Sequence, residues 1–222
     1  MSHPLEAGLC AGLGRIDLAL TDAQMQTLLA YLDWVAKWNR VYNLTALRDP
    51  QDMLTHHLLD SLAVVSPLRR HLAALPDGEQ PRVLDVGSGA GLPGAVLAIT
   101  CPEVDVSCVD TVAKKALFIQ QVAAALRLPN LRGLHARVES LTEPYDVVTS
   151  RAFASLADFT EWSTTALRPG GVWMAMKGKH PLDEIQALPA RVEVFHVEPL
   201  HVPGLDAERC LVWMRPAAGE ST

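Results

Sequence analysis

The residues best suited to chemistry follow one short apolar run. Residues 82–94 read RVLDVGSGAGLPG, which is a strand-like run ending in an acid, then four glycines, then a new helical pattern. A glycine-rich turn between a strand and a helix lets a ligand approach the main chain where no Cβ intervenes. It also presents backbone N–H groups at the start of the helix. The stretch therefore predicts a ligand site built on bare backbone.

Two glycine patterns overlap in this stretch, and they favour different ligands. Gly89-x-Gly91-x-x-Gly94 satisfies the dinucleotide pattern, whereas DVGSGAG at 85–91 is typical of enzymes that use S-adenosylmethionine. A tight structural turn that binds nothing is a third interpretation. The glycines alone leave all three open.

Polar residues at the ends of later predicted strands bear on which ligand the glycine-rich turn binds. The second strand ends at Asp110, whose carboxylate can accept hydrogen bonds from both hydroxyls of a ribose or can cap the next helix. Cations follow the third, fourth and fifth strands, namely Arg137, Arg151 and the pair Lys177 and Lys179. Ligands in such sheets bind beyond the carboxyl ends of the strands. These cations therefore predict a rim for an anionic partner such as RNA.

Alternating strand and helix patterns place those residues in a sheet. We expect strands at 82–86, 104–109, 131–135, 145–149 and 172–176, and helices at 94–100, 111–128 and 155–167. A turn is expected at Arg168-Pro169-Gly170-Gly171. The repeated units predict an α/β fold with a Rossmann-like, doubly wound, mostly parallel sheet. The last strands, at 191–197 and 210–214, have no helix between them and predict an antiparallel hairpin at one edge.

The first third of the chain has helical patterns only. Thr21 and Gln24 have the spacing of a capping box that opens a long amphipathic helix, and a second helix is expected at 51–71. Four aromatics on the long helix are expected to pack it on the rest of the protein, with nucleic-acid stacking as the alternative: Tyr31, Trp34, Trp38 and Tyr42. We expect a helical extension at 1–78, a Rossmann-like domain at 79–216 and a flexible tail at 217–222.

Composition limits the class of protein. Hydrophobic residues make up 49% of the 222 residues, enough for a sizeable core. The net charge of −6 argues against indiscriminate nucleic-acid binding, although a local basic face remains possible. The four scattered cysteines predict reduced thiols of a cytosolic protein without a metal site. Residues 1–14 make a poor secretory signal, and no apolar run approaches the ~20 residues of a membrane span.

Five motifs together make a more specific pattern. They are YNLTALRDP at 42–50, HLLDS at 57–61, DVGSGAGLPG at 85–94, SRAFASL at 150–156 and MKGK at 176–179. From the first long helix to the last strand the chain resembles the bacterial RsmG family, also called GidB, of 16S rRNA guanine-N7 methyltransferases. The resemblance implies a class I methyltransferase fold with an N-terminal helical extension. It also implies S-adenosylmethionine as methyl donor, with S-adenosylhomocysteine as product.

The target implied by the resemblance is a guanine in the decoding region of 16S rRNA, within a small ribosomal subunit or an assembly particle. A cytoplasmic monomer with no obligate protein partner and no membrane contact is expected. The implied cofactor site comprises Asp85, Gly87, Gly89, Gly91, Leu92, Asp110, Val138, Glu139 and Arg151.

Individual roles within that site follow from the resemblance. Val138 and Glu139 match the residues beside the adenine, Asp110 the ribose acid, and Asp85 the acid that orients the methionine part directly or through water. Arg151 is the catalytic candidate, and it would hold a phosphate, the guanine O6 or the cofactor carboxylate, unless it only fixes the loop by a salt bridge.

Other residues keep two interpretations. Arg137, Lys177 and Lys179 are hypothesised phosphate contacts, each also interpretable as a solvated surface charge. His57 and Asp60 match family positions and form either a structural polar pair or a functional one.

The expected chemistry needs no general base. Guanine N7 has an in-plane lone pair and carries no proton, so the protein chiefly aligns the reacting atoms. Phe153 could stack on a flipped guanine or pack in the core, which is the favoured interpretation. Two other functions stay open: a dinucleotide-dependent oxidoreductase, which lacks a Tyr-x-x-x-Lys pair here, and a non-catalytic RNA assembly factor.

Overall fold

The first third of the chain is a layer of helices. The computed structural model describes residues 2–76 and 78–217. The helices of this layer are α1 Glu6–Arg15, α2 Asp22–Tyr42, α3 Pro50–Met53, α4 Asp60–Leu62 and α5 Val65–Leu72. A π-helical turn, Leu54–Leu59, joins α3 to α4. The range 51–71 is helical as expected but is not one α-helix, because a π-helical stretch lies within it and a turn at 63–64 separates α4 from α5.

Helix α1 packs closely on the π turn through glycines. A Cβ on Gly8 would lie 2.9 Å from Cδ2 of Leu54, and one on Gly12 would lie 2.5 Å from Cδ2 of Leu59. The absence of side chains at these positions lets the two backbones approach each other. The same glycines interrupt the apolar pattern, which is why the sequence did not predict this helix.

Helix α2 begins as predicted and packs through its aromatics. The Oγ1 atom of Thr21 accepts from the Gln24 N–H at 3.2 Å, and the Gln24 side chain accepts from the Thr21 N–H at 3.0 Å. Tyr31 is fully buried, and the Trp38 ring meets the ring of Phe118 edge-on at 5.3 Å. Packing is therefore the role of the inner aromatics, while Tyr42 keeps 42% of its surface exposed.

Across the described residues seven strands form one sheet in the order β3-β2-β1-β4-β5-β7-β6. The strands are β1 Arg82–Val86, β2 Asp105–Asp110, β3 Leu131–His135, β4 Tyr145–Arg151, β5 Leu167–Lys177, β6 Val192–Pro199 and β7 Cys210–Pro216. Strands β1 to β5 are parallel, and β7 pairs antiparallel with both β5 and β6. The mostly parallel sheet with an antiparallel edge hairpin is confirmed.

Helices cover both faces of the sheet. They are α6 Gly94–Thr100, α7 Ala113–Ala125, α8 Leu156–Ser163 and the short α9 Leu182–Gln186, with 3-10 turns at Val138–Ser140 and Thr164–Ala166. One buried cluster joins the N-terminal helices to α6, α7 and one sheet face. A second cluster fills the other face under α8. The helical layer thus shares a core with the sheet.

The turn expected at 168–171 instead lies within β5. The pairing of β4 with β5 shifts register between Tyr145 and Val147, and Gly170 has a φ of 80°. The glycines therefore form an irregular strand entrance rather than a separate turn.

At the end of the chain, Ala217 donates its N–H to the Arg191 carbonyl at 2.8 Å. The rest of the expected tail, 218–222, lies outside the described residues. No helix in the described part of the chain is long and apolar enough to cross a membrane. Cys101, Cys108 and Cys210 are buried free thiols, and Cys10 is an exposed one.

Candidate functional site

Two cavities meet at the carboxyl ends of the parallel strands. The first cavity, of about 470 Å³, is lined by the glycine loop, the ends of β4 and β5, and residues of the helical layer. The second cavity, of about 400 Å³, lies over the ends of β1 and β2 and the segment after β3. Gly87 lines both. The site is therefore a divided cleft whose partition is the start of the glycine loop.

The loop needs its glycines for two reasons. Gly87, Gly89 and Gly91 have φ values of 66°, 59° and 87°, a region that side chains disfavour. A Cβ on Gly87 would also clash with the Phe153 ring. At Gly89 a Cβ would meet nothing within 4 Å, so this backbone borders open space in the first cavity. The predicted bare-backbone surface is present there.

The helical layer holds the loop from below. The Tyr31 hydroxyl on α2 donates to the Ala90 carbonyl at 2.7 Å. Burial raises the pKa of Tyr31 well above its usual value, so the hydroxyl stays a donor at neutral pH. Leu92, which is buried, continues the loop along the wall of the first cavity.

Asp85 lies beneath the loop and lines neither cavity. Its side chain is fully buried, and Oδ2 accepts from the Gly94 N–H at 2.8 Å, at the start of α6. Its Oδ1 has no hydrogen-bond partner among the described residues. Burial raises the pKa of Asp85 to about 7. In this geometry one oxygen of the acid anchors the start of α6, and Asp85 lies on the wall of neither cavity.

Asp110 both caps a helix and faces a cavity. Its Oδ1 accepts from the Val112 N–H at 2.9 Å, and its Oδ2 accepts from the Gly89 N–H at 3.1 Å. Lys115 lies 3.3 Å from Oδ2, and Asp110 lines the second cavity. The two interpretations drawn from the sequence are therefore compatible, since Oδ1 accepts one hydrogen bond from the described chain and keeps a lone pair for a ligand.

The remaining walls of the second cavity are apolar and aromatic. Buried Val138 lies on one side with exposed Glu139, both implied by the resemblance, and with exposed Arg137, which the strand-end pattern predicted. Phe153 and Trp162 form the other side, with edge-on rings 5.8 Å apart. Phe153 is half-buried and packs both on Gly87 of the loop and on the edge of the second core cluster, where the Phe159 ring lies edge-on at 6.4 Å. Trp162 was not predicted, because an aromatic on a helix carries no strand-end signal.

An ionic cluster forms part of the first cavity. Asp60, with 4% of its side chain exposed, accepts from Arg151 Nη1 at 3.0 Å and from Arg209 Nε at 3.0 Å. Arg151 Nη1 also donates to the His56 carbonyl at 2.8 Å. The carboxylate thus fixes two guanidinium groups on the cavity wall.

Arg209 was not predicted, although its position carried a signal. It directly precedes β7, and an antiparallel strand next to parallel ones begins at their carboxyl edge. A cation before such a strand therefore lies beside the ligand site.

His57 takes part in a different contact from Asp60. Its Nε2 pairs with Thr45 Oγ1 at 2.8 Å, and Nδ1 is buried with no partner among the described residues. Burial, and then the neighbouring Arg151, lower the pKa of His57 to about 4. The ring is therefore neutral at physiological pH. The expected His57–Asp60 pair does not form, because each residue binds another partner.

The three predicted phosphate contacts differ in their surroundings. Lys177 lines the first cavity, but its Nζ pairs with Glu184 at 2.7 Å and donates to the Ala154 carbonyl at 3.2 Å. Arg137 and Lys179 are exposed and form no ion pair within the described chain. Only Lys179 lines neither of the two cavities.

Solved structures with similar folds include methyltransferases. TrmN from Thermus thermophilus superimposes with a TM-score of 0.54 at 19% identity, over 74% of this chain and 53% of that one. A SAM dependent methyltransferase from Aquifex aeolicus gives 0.51 at 17% identity, over 75% and 98%. The class I methyltransferase fold is thereby confirmed.

Sequence relatives are closer and cover nearly the whole chain. The protein named ribosomal RNA small subunit methyltransferase G from Acidovorax ebreus (strain TPSY) is 66% identical over 218 residues, covering 96% of each chain. That from Polaromonas sp. (strain JS666 / ATCC BAA-500) is 66% identical over 210 residues, covering 95% and 93%. The model of the GidB family, rRNA small subunit methyltransferase G, matches residues 24–212. The chain belongs to the rRNA small subunit methyltransferase G family.

Proposed function

We propose that this protein transfers the methyl group of S-adenosylmethionine to N7 of a guanine in the decoding region of small-subunit rRNA. The observation that carries the proposal is the divided cleft, in which two cavities share Gly87. A cofactor with an adenosine half and a methionine half fits such a cleft. Membership of the rRNA methyltransferase family supports the reaction and the RNA class.

The second cavity suits the adenosine half. Asp110 offers carboxylate lone pairs for ribose hydroxyls, and Val138 with Phe153 offers apolar surface for a purine. The first cavity then takes the methionine half along Gly87, Gly89 and Leu92. Gly91 supports this loop from behind, since a Cβ there would clash with Ile119.

The bound cofactor supplies an electrophilic methyl group on a sulfonium. The protein's part is alignment, because guanine N7 attacks with a lone pair and releases no proton. Arg151 is oriented by Asp60 and the His56 carbonyl, and its remaining N–H groups serve to hold O6 or a phosphate of the target. His57 is neutral, which avoids adding a positive charge beside a purine that becomes cationic on methylation.

The RNA-facing side combines a cationic rim with the helical layer. In this proposal Arg137, Lys177 and Lys179 contact phosphates, and Lys177 exchanges its pairing with Glu184 for that contact. The helical extension at 1–78 packs on the transferase domain at 79–216 and shapes the first cavity through Asp60. The protein works in the cytoplasm, where its rRNA substrate is assembled into subunits.

The net charge of −6 leads to a further part of the proposal. Affinity for free RNA is weak, because few phosphates are neutralised. Productive recognition needs a folded small subunit or assembly particle. Equal methylation rates on short naked rRNA fragments and on intact subunits would contradict this part.

The test is to incubate the protein with methyl-labelled S-adenosylmethionine and small subunits that lack the modification, then to analyse the nucleosides of the digested rRNA. Label in 7-methylguanosine supports the cofactor and the target atom together. Label in another nucleoside overturns the target atom but not the fold or the cofactor. No label despite measurable cofactor binding favours a non-catalytic assembly factor.

A further inference from the structure

A third cavity, of about 330 Å³, opens directly beside the first. Gly178 and Arg209 line both cavities. The rest of its wall is formed by strand β6 and the segments around it, including Val197, Leu200, His180 and Glu208. None of these four residues belongs to the site described above.

We propose that the third cavity binds the base of the nucleotide next to the target guanine in the RNA strand. This inference rests on the proposed function. The protein then binds two consecutive nucleotides of the RNA, the target guanine in the first cavity and its neighbour in the third.

The chemistry of the walls suits a nucleobase. Val197 and Leu200 provide apolar surface, and the His180 ring provides an aromatic face on which a base can stack. The exposed Glu208 carboxylate forms no side-chain hydrogen bond or ion pair within the described chain, so it can accept from an amino or imino group of a base. The walls therefore offer both stacking and edge contacts.

The boundary between the two cavities suits the linking phosphate. A Cβ on Gly178 would meet nothing within 4 Å, so the passage is open. Arg209 is held there by Asp60 through Nε and by the Glu208 carbonyl through Nη1, while Nη2 makes no hydrogen bond within the described residues. A guanidinium with a free donor is a strong phosphate ligand.

When the target guanine flips out of the RNA stack, a second site that binds the neighbouring base stabilises the complex. A flipped guanine leaves the adjacent base without a stacking partner, which costs free energy. A second stacking surface one nucleotide away offsets that cost. The third cavity is at the correct place, since it adjoins the first without an intervening side-chain barrier at Gly178.

The test compares His180→Ala and Glu208→Ala with the matched controls His196→Ala and Asp206→Ala. All four residues are exposed, and the controls line neither the first nor the third cavity. We expect the two test variants to raise the KM for small subunits at least about five-fold, the lower range for loss of one stacked base. Calorimetric affinity for S-adenosylmethionine and the melting temperature should stay at the wild-type values.

A second measurement uses subunits assembled from rRNA with each of the four bases on either side of the mapped target. Wild-type kcat/KM should depend on the base at one side, and Glu208→Ala should reduce that dependence. Test variants with the same KM as the controls, or a wild type indifferent to both neighbours, would overturn the inference. Failure of the proposed function itself looks different, because then the wild type methylates no subunit at all.

Discussion

Replacement of Asp60 by Asn tests the ionic cluster most directly. The change keeps the shape of the side chain but removes the charge that holds Arg151 and Arg209, each at 3.0 Å. Removing one partner of a buried ion pair costs about 3–5 kcal/mol. The arginine side chains are 19% and 25% exposed, so water recovers part of that loss. We therefore expect Asp60→Asn to lower the free energy of unfolding by about 2–3 kcal/mol.

The consequence is measurable in two ways. At about 2–4 °C for each kcal/mol in a chain of this size, the melting temperature should fall by about 4–12 °C. Methyl transfer at a temperature where the variant is folded should lose at least about tenfold in kcat/KM, because Arg151 is no longer oriented. Circular dichroism melting and a labelled-methyl assay provide the two values.

Glu193→Gln is the matched control, since it removes an acid from a bidentate but exposed pair with Arg215. Exposed pairs contribute little, so its melting temperature and activity should remain near wild type. An Asp60→Asn protein that melts within about 1 °C of wild type, with unchanged kcat/KM, would refute the reasoning about the cluster.

Three further predictions concern the loop and its acids. Asp110→Ala should weaken S-adenosylmethionine binding more than Lys179→Ala does, and the reverse order in calorimetry would contradict the ribose assignment. Tyr31→Phe leaves the buried Ala90 carbonyl unpaired and should lower the free energy of unfolding by about 1–3 kcal/mol in urea titrations, whereas an unchanged value would show that this hydrogen bond does not stabilise the loop. The pKa of Asp85 is about 7 in the folded protein and 3.8 in the unfolded chain, so folding takes up a proton between those two pH values. The stability that the protonated Asp85 contributes is therefore present at low pH and is lost as pH rises through 7. Asp85→Asn should therefore be more stable than wild type at about pH 8 and should gain little at about pH 4, as urea midpoints will report; an equal gain at both would show that the acid is not protonated on folding.

The strand–helix alternation made the sheet predictable, because each buried strand is a short apolar run bounded by turns. The carboxyl ends of those strands then indicated Asp110 and Arg151 as cleft residues from the sequence alone, whereas Val138 was implied by the resemblance. The role of Asp85 was implied by the resemblance and stays a prediction, since its side chain lies under the loop and lines neither cavity. A side chain at a strand end can point under the loop as well as into the cleft, and sequence does not distinguish the two directions.

The helical layer was less predictable, and for a physical reason. A π turn keeps the composition of an α-helix while changing the hydrogen-bond spacing, so Leu54–Leu59 gives no separate signal. Helix α1 depends on glycines that weaken any local pattern but fit the surface of the π turn. The place of Arg209 beside the cleft could be inferred only once the direction of β7 was known, because the residue directly precedes that strand.

The hydrogen bond from Tyr31 to Ala90 connects the middle of α2 to the cofactor loop, while the residues just after α2, Leu44 and Thr45, line the first cavity. A ligand that orders either end of this connection reduces the entropy that the other ligand must still lose. Under the proposed function the cofactor and the RNA bind at the two ends of this connection, so we expect each ligand to raise the affinity for the other by the same factor.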